Sequence, residues 1–280
     1  MNNENENNLI EYVDIRKTFY NKNEKLARLL PGFFFRYLER IVHQKEINDF
    51  LSVHGHKKGI EFLKEVIKEF NVTYEIRGED NLKKEGRYIF AGNHPLGGFD
   101  GMLLLYILSQ YYTEVKFLVN DILMNIKNLS PLFIPINKHG GQSKDAAAEL
   151  DKIFTSDSQV VTFPAGLVSR KVRGKIVDLK WHKNFITKAI KYKRDIIPVH
   201  TTGRNTNFFY NLANIRKFLG IKYNIEMLYL ADETFKHRNK HIIVSFGEPI
   251  PYTNLNNSFS AEKWAEQIKQ IVYNLDPYEI

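Results

Sequence analysis

The chain has 280 residues, of which 43% are hydrophobic and 26% are charged, and its formal net charge is +8. This composition is typical of a folded globular protein and excludes an intrinsically disordered one. The absence of cysteine excludes disulfides, thiolate metal sites and a cysteine acyl-enzyme.

The N-terminal part, residues 1–71, is predicted to be a polar tail followed by helices. Residues 1–8 are rich in Asn and Glu and predict a disordered tail. The stretch KLARLLPGFFFRYLERIV combines leucines and aromatic residues with arginines, and Pro31 divides it into two pieces. This make-up is typical of a helix at a membrane interface. A helical lid packed on the rest of the protein would show the same pattern, so both interpretations stay open.

From Val72 onward, residues 72–280 alternate between strand candidates and amphipathic helices. The strand candidates are VTYEIRG, RYIFAG, VKFLVN, LFIPIN, QVVTFPAG, DIIPVHTTG and HIIVSFGEPI. Helical segments such as GMLLLYILSQYY and NFITKAIKYK lie between them, and a last helix, AEKWAEQIKQIVYNL, is expected to pack on the sheet. The alternation predicts an α/β fold with a mixed, largely parallel sheet flanked by helices.

Three polar segments that contain glycine each follow a predicted strand. They are GNHPLGGFDG after YIFA, NKHGG after LFIPI, and FPAGLVSRK after QVVT. Ligands of open α/β sheets bind at the carboxyl ends of the strands. The sequence therefore predicts that these three segments converge on one site.

His94 and Asp100 are the candidates for catalysis in the first of these segments. A histidine at a strand end can act as a general base when a carboxylate holds its far ring nitrogen. Gly97 and Gly98 permit a tight turn that would bring Asp100 back to the ring. Alternatively, Asp100 caps a helix that begins at Gly101, and His94 is a polar turn residue. Spacing alone leaves both interpretations open.

The ordered segments NHPLGGFDG, LFIPINKHG, FPAGLVSR and IIPVH resemble the four sequence blocks of the glycerolipid acyltransferase family, which includes bacterial lysophosphatidic acid acyltransferases. The resemblance extends from about Val72 to Pro251, and it implies that residues 72–280 form a catalytic domain of the glycerolipid-acyltransferase type. It also implies that His94 and Asp100 form a dyad. The histidine would take the proton of an acceptor hydroxyl, which attacks an acyl thioester without an acyl-enzyme.

Three positions depart from the family pattern. Five residues, rather than the usual four, separate the histidine from the aspartate. Ala165 stands where the family usually has a glutamate that helps to bind the acceptor's phosphate region, and Asn137 stands where many members have an arginine. The pattern HPLGGFDG … FPAGLVSRK is more similar to the haemolysin-like branch, whose members O-acylate lyso-aminolipids such as lyso-ornithine or lyso-glycine lipids. The implied acceptor is a lyso-aminolipid, and the alternative is 1-acylglycerol-3-phosphate (lysophosphatidic acid).

The residues around the dyad are predicted to bind the substrates. Arginines after FPAG can grip a carboxylate or phosphate, and backbone amides after Gly166 can add donors. Ten Lys or Arg and one acid, Asp178, lie between Arg170 and Arg194, and most of them are interpreted as a solvated helix face. The predicted substrate-binding residues are Asn93, Gly97, Gly98, Asn137, Lys138, His139, Phe163, Pro164, Ala165, Gly166, Ser169, Arg170, Lys171 and Arg204.

The expected partners follow from the same resemblance. We expect no bound cofactor and no metal, an acyl-CoA or acyl carrier protein as the acyl-donor substrate, and a membrane lipid as the acceptor. The N-terminus lacks signal-peptide features and no apolar stretch is long enough to span a bilayer, so we expect a cytoplasmic protein, peripheral on the inner face of the cell membrane. Nucleic acid is not an expected partner, because the basic residues form no RNA- or DNA-binding signature.

Two further interpretations complete the sequence-based picture. His182, His237 and His241 lie among basic residues and are interpreted as surface residues. The extra dyad residue and Ala165 leave open a second possibility for the whole chain, a lipid-binding relative without catalytic activity.

Overall fold

A computed structural model describes residues 12–119, 124, 126–136 and 144–278 of the chain. Within these ranges, seven strands form one sheet in the order β1-β9-β8-β2-β5-β3-β4, and two more form a separate hairpin. The strands are β1 (Thr73–Arg77), β2 (Tyr88–Gly92), β3 (Val115–Val119), β4 (Phe133–Pro135), β5 (Gln159–Thr162), β6 (Arg170–Val172), β7 (Lys175–Val177), β8 (Asp195–Thr201) and β9 (His241–Phe246).

Helices cover both faces of this sheet. Five of the described helices precede the first strand, and the others alternate with the strands or follow them. In the described ranges the α-helices are α1 (Ile15–Lys22), α2 (Glu24–Leu29), α3 (Gly32–Ile41), α4 (Gln44–His54), α5 (Gly59–Phe70), α6 (Gly98–Leu108), α7 (Lys144–Thr155), α8 (Asn184–Tyr192), α9 (Asn207–Phe218), α10 (Leu230–Phe235) and α11 (Ala261–Asn274). None of the described helices is long and apolar enough to cross a membrane.

The sheet is mixed and largely parallel, as the sequence predicts. β8, β2, β5, β3 and β4 run parallel to one another, and β1 runs parallel to β9. The two groups meet at the antiparallel pair β8–β9, where Val199 lies opposite Phe246. The carboxyl ends of the five parallel strands therefore lie along one edge, where the polar segments follow β2 and β5.

The central strands are apolar on both sides because helices pack on both faces of the sheet. Every residue of β2 is buried. Alternate side chains of a strand point to opposite faces, and Phe90 accordingly lies in the hydrophobic cluster with α5 and α6, whereas Ile89 and Ala91 lie in the cluster with α8 and α11. β2 thus ends between two cores, which fixes the position of the segment that follows it.

The helices α4 and α5 share the hydrophobic core of the sheet. The predicted break at Pro31 is observed, because α2 ends at Leu29 and Pro31 precedes α3. The helix α3 buries Phe35, Leu38 and Ile41. α5 packs on α6, and its apolar residues share a cluster with the sheet. The boundary predicted between residues 71 and 72 therefore does not separate two cores. The predicted tail, residues 1–8, lies outside the described residues.

A hairpin replaces part of the helix face that the sequence predicts after Arg170. β6 and β7 pair antiparallel, and the two residues between them, Arg173 and Gly174, have φ of 48° and 86°. Positive φ at both central residues is the requirement of the tight hairpin turn that matches strand twist. The helix-face interpretation is therefore wrong for Lys175, and it applies to the lysines of α8, Lys188 and Lys191.

Candidate active site

The candidate base follows directly after β2 and is fixed there by its neighbour Asn93. The Asn93 side-chain amide donates to the Thr201 carbonyl at 3.0 Å, and the Thr201 N–H donates to Asn93 Oδ1 at 2.8 Å. Asn93 is buried, and its amide joins the ends of β2 and β8. The prediction that Asn93 binds substrate is not supported, because both ends of its amide are used within the protein.

His94 and Asp100 lie in direct contact. His94 Nδ1 is 3.0 Å from Asp100 Oδ1 and 3.1 Å from Oδ2. The Asp100 side chain is 0% exposed, and it also accepts the backbone N–H groups of Leu96 at 2.9 Å and Gly101 at 2.8 Å. The other hydrogen bonds to the Asp100 oxygens come from backbone N–H donors, so the contact with His94 is consistent with an N–H at Nδ1. In the described ranges His94 Nε2 has no hydrogen-bond partner, so this nitrogen could accept a proton.

The turn between them requires glycine at position 97. Gly97 has φ 75° and ψ −130°, a backbone conformation that only glycine adopts without strain. A Cβ on Gly97 would lie 3.1 Å from Leu230 Cδ2, whereas a Cβ on Gly98 would meet nothing within 4 Å. α6 begins at Gly98, three residues before the predicted start, so Asp100 lies in its first turn and is not the residue that caps it.

The third polar segment supplies a ring that packs against the base. Phe163 stacks on the His94 imidazole with the ring centroids 4.4 Å apart and an interplanar angle of 16°. Pro164 is buried, and its carbonyl accepts the His182 N–H at 3.0 Å. The predicted convergence of the first and third segments is therefore confirmed.

Two other residues of this segment do not face a ligand. Ala165 is buried in the hydrophobic cluster that contains Trp181 and Phe185. A carboxylate at position 165 would enter that core, which explains why a small apolar residue stands there. The backbone N–H of Gly166 donates to the Phe163 carbonyl at 2.9 Å, so this amide closes a turn. The predictions that Ala165 and the Gly166 amide bind substrate are not supported.

Asp178 is a residue of the site that sequence reasoning missed. Its Oδ1 accepts the backbone N–H of His94 at 3.2 Å and the Ser169 hydroxyl at 2.5 Å, and its Oδ2 accepts Trp181 Nε1 at 2.9 Å. Ser169 completes the connection, because its backbone N–H donates to the His94 carbonyl at 2.8 Å. Ser169 thus supports His94, and its hydroxyl is already bound within the protein. The one available signal was that Asp178 is the single acid of a basic segment.

The Asp178 carboxyl is almost completely buried, and burial raises its pKa above the usual range. Hydrogen bonds from Ser169 and Trp181 and the nearby His94 act in the opposite direction. All of the surrounding contacts are donors to the carboxylate, which is the arrangement that a buried aspartate requires. Asp178 therefore holds the loop of His94 to the loop of Ser169.

Arg170 is committed to a buried ion pair. Its guanidinium lies 3.0 Å from Glu226 Oε1 and donates to the Val168 carbonyl at 2.6 Å. Burial lowers the pKa of Arg170, and the charge of Glu226 opposes this. The prediction that Arg170 grips an anionic acceptor is not supported, because its donors are turned toward the protein. Lys171 is half-buried and stays a candidate.

Arg204 is exposed beside the catalytic turn. It follows Gly203, where a Cβ would lie 2.8 Å from Leu96 Cδ2, so the chain after β8 passes close to the His94–Asp100 turn. The Arg204 guanidinium hydrogen-bonds Asn207 and lies 5.8 Å from the Tyr210 ring centroid. It lines a cavity of about 280 Å³, whose other lining residues are Asn205, Thr206, Glu233, Lys236, His237 and Lys240.

His237 is buried, so the prediction that it lies on the surface is wrong. Its Nε2 is 3.3 Å from Asn205 Oδ1, and its ring is 6.2 Å from the Phe99 ring centroid. Burial lowers the pKa of His237, although the charge of Asp100 acts against this. His182 and His241 are exposed as predicted.

The second polar segment, NKHGG, lies outside the described residues. The predicted residues Asn137, Lys138 and His139 belong to this segment. Across the ranges that are described, no group of three or more His, Asp or Glu side chains could hold a metal ion. The observed site therefore consists of the His94–Asp100 pair, the Phe163 ring and the Asp178–Ser169 support.

A model of the acyltransferase family matches residues 17–277. The chain belongs to this family. Two related proteins align with almost the whole length of this acyltransferase. The first is a lyso-glycine lipid O-acyltransferase of Bacteroides thetaiotaomicron, 50% identical over 94% of this chain and 97% of its own length. The second, a lyso-glycine lipid O-acyltransferase of Phocaeicola vulgatus, is 47% identical over 94% of this chain and 95% of its own length.

Among solved structures, the 1-acyl-sn-glycerophosphate acyltransferase of Thermotoga maritima has a TM-score of 0.48 and 18% identity, over 95% of this chain and 100% of that one. The family match and the relatives establish that the chain is an O-acyltransferase. They also confirm the family resemblance predicted from the four sequence blocks.

Proposed function

We propose that this O-acyltransferase acylates a hydroxyl of a lyso-aminolipid, and that the acceptor is a lyso-glycine lipid. The observation that carries the proposal is the 50% identity, over 94% of the chain, to a lyso-glycine lipid O-acyltransferase. Ala165 agrees with it, because the position at which the family usually has an acid is turned into the core. The coarser statement, a lyso-lipid acyltransferase, holds for both relatives.

In the proposed reaction His94 is the base and Asp100 orients it. Nε2 takes the proton of the acceptor hydroxyl, and the oxygen attacks the carbonyl carbon of an acyl thioester. The tetrahedral intermediate collapses with cleavage of the C–S bond, and the departing thiolate takes the proton back from the imidazolium. The products are an ester and a free thiol, and no acyl-enzyme forms. The contact of Nδ1 with Asp100 supports this tautomer.

The donor and the location complete the proposal. The acyl donor is an acyl-CoA or an acyl carrier protein thioester, both of which release a thiol in this reaction, and no cofactor is required. Because the acceptor carries an acyl chain and resides in a bilayer, the enzyme acts as a peripheral protein on the inner face of the cell membrane. Open space beside Gly98, in the first turn of α6, supports a substrate-binding role for this residue.

Transfer assays with the purified full-length protein test the proposal. We expect a labelled acyl group to pass from the thioester to a lyso-glycine lipid and not to lysophosphatidic acid. His94→Ala should abolish the transfer, and His182→Ala, at an exposed histidine, should not. Transfer to lysophosphatidic acid alone would support the alternative acceptor. Transfer that His94→Ala leaves unchanged would contradict the assigned base.

A further inference from the structure

The region around α9 combines exposed apolar residues with positive charge, and its one acid, Glu226, is buried. From Asn205 to Ile225 there is neither Asp nor Glu, whereas Lys217 and Lys222 are basic and exposed. Arg216 is also basic, but it pairs with the buried Glu226. The acid-free run extends from Ile196 to Ile225, and Lys217 and Lys222 lie at and just beyond the far end of the helix. Such a composition favours contact with an anionic surface.

The far end of α9 and the loop after it expose large apolar side chains. Phe218 is 89% exposed and Tyr223 is 83% exposed. We name this group the α9 tip, and its exposed apolar members are Ile215, Phe218, Leu219, Ile221, Tyr223 and Leu228. A cluster of large exposed apolar residues marks a surface that binds something apolar.

α9 has two apolar faces, and only the inner one is buried. Phe209, Tyr210 and Ala213 are buried on the inner face. Phe208, Ile215 and Leu219 follow one another at helical spacing on the opposite face, and all three are exposed. Folding of the described part of the chain therefore explains the inner face but not the outer one.

A second exposed surface continues the α9 tip. Tyr229 packs its ring against Phe208, with the centroids 4.9 Å apart, and its hydroxyl hydrogen-bonds the Tyr37 hydroxyl of α3. α3 exposes Phe33 and Tyr37 together with Arg36 and Arg40. Tyr229 thus joins two surfaces that have the same make-up, aromatic side chains bordered by cations.

We infer that the α9 tip is a membrane-docking surface that inserts its apolar side chains among the lipids of an anionic bilayer. Aromatic and aliphatic side chains enter the headgroup boundary, and the neighbouring lysines bind acidic lipid headgroups. The composition favours a lipid surface over a second copy of this chain, because the absence of acids between Asn205 and Ile225 gives a self-complementary interface no partner for Lys217 and Lys222.

The position of α9 relates this surface to the candidate active site. The residue Gly203, just before α9, packs on Leu96 of the catalytic turn, and the backbone N–H of Asn205 donates to the Tyr210 hydroxyl. At a rise of about 1.5 Å per residue, the 12 residues of α9 span about 18 Å. Docking at the tip would hold the bilayer about one helix length from the His94–Asp100 pair. That docking brings the site to its lipid acceptor rests on the proposed function, but membrane binding by the α9 tip does not.

Vesicle binding by the full-length protein tests the docking without donor or acceptor. The double variant F218S/Y223S should bind vesicles of phosphatidylglycerol and phosphatidylethanolamine about tenfold more weakly than the wild type in a sedimentation assay. Y278S is the matched control, because Tyr278 is 74% exposed and lies outside the tip. Its binding should be unchanged. The circular dichroism spectra should coincide, and transfer to an acceptor dispersed in detergent should be retained.

A fluorescence probe gives a second, independent measurement. F218W should show a blue shift of its emission, and quenching by brominated lipids, when the same vesicles are added. Equal vesicle binding by F218S/Y223S and the wild type, or no spectral change in F218W, would overturn the inference. So would a wild-type dimer that the double variant dissociates, since the tip would then be an interface between copies. A further outcome is that the double variant loses vesicle binding while the wild type transfers no acyl group to any acceptor. That result would contradict the proposed function but would still support the docking surface.

Discussion

The carboxylate of Asp178 accepts the backbone N–H of His94 at 3.2 Å, across 84 positions of sequence. The same carboxylate accepts the Ser169 hydroxyl, and the Ser169 N–H donates to the His94 carbonyl. Both backbone polar groups of the candidate base are therefore bound to one loop system. The position of the imidazole depends on this support as well as on Asp100.

Asp178→Asn should lower kcat with a smaller effect on KM. The asparagine amide has a single acceptor oxygen, so one of the buried donors loses its partner and the His94 loop shifts. We expect kcat to fall about 10- to 100-fold, and the free energy of unfolding to fall by about 1–3 kcal/mol. Asp157→Asn, at an exposed acid, is the control. Unchanged kcat in a well-folded D178N protein would show that the support does not position the base.

Asp100→Asn should remove most of the activity. The substituted side chain would present an amide to a ring whose Nδ1–H needs an acceptor, and the imidazolium formed during the reaction would lose its counter-charge. By analogy with other histidine–aspartate pairs we expect kcat/KM to fall about 10³- to 10⁴-fold. Steady-state kinetics checks this, with thermal unfolding measured alongside because Leu96 and Gly101 donate to the same carboxylate. A tenfold effect or less would count against the assigned role.

Gly97→Ala and Gly98→Ala form a matched pair on the catalytic turn. Alanine at position 97 would adopt a strained positive φ and crowd Leu230, and we expect the free energy of unfolding to fall by about 1–3 kcal/mol, with a loss of activity. Alanine at position 98 finds open space in the first turn of α6 and should leave stability nearly unchanged. Chemical denaturation measures both. Equal effects would contradict the requirement for glycine at position 97.

Arg170→Met distinguishes a structural arginine from an acceptor-binding one. The substitution leaves Glu226 buried with Arg216 as its remaining cation, and we expect a loss of about 3–5 kcal/mol in the free energy of unfolding. Lys171→Met is the adjacent comparison and should not change stability measurably. If Lys171 contacts the acceptor, K171M raises the KM for the lyso-lipid. An unchanged unfolding curve for R170M would contradict the structural role.

His237 should make the protein sensitive to acid. Its lowered pKa means that the folded state holds the imidazole neutral at a pH where the unfolded chain already binds a proton. Its contribution to stability is thus present above the ordinary histidine pKa and is lost as the pH falls toward the lowered value. Between about pH 7.5 and about pH 5, the wild type should lose more unfolding free energy than His237→Gln. Parallel urea titrations at the two pH values compare the two proteins.

The sequence predicts most of the sheet because β2, β5 and β8 are runs of apolar residues bounded by polar turns. It also predicts the contact of His94 with Asp100, because a glycine turn and a family resemblance coincide in one segment. The hairpin β6–β7 escapes prediction because its strands have three residues each and carry several charges. Its turn signal, Arg173–Gly174, lies in a run of basic residues that resembles a helix face.

Side-chain direction is the part of the site that a motif does not provide. Asn93, Ala165 and Arg170 belong to the right segments, yet their side chains turn into the protein. Asp178 shows the converse, because a contact with the distant His94 brings it to the site, and His237 is buried by its contact with Asn205. Those contacts depend on how the helices pack on the sheet, which local pattern does not determine.

Strand β1 pairs with β9, and Thr73 lies opposite His241, 168 residues further along the chain. This edge of the sheet can therefore form only when nearly the whole chain has left the ribosome. Until then the apolar residues of α5 and β1 lack part of their packing, and the closure of so long a loop is slow. Chains that end before β9 keep an open strand edge, so incomplete synthesis should yield aggregated or degraded protein rather than a smaller folded enzyme.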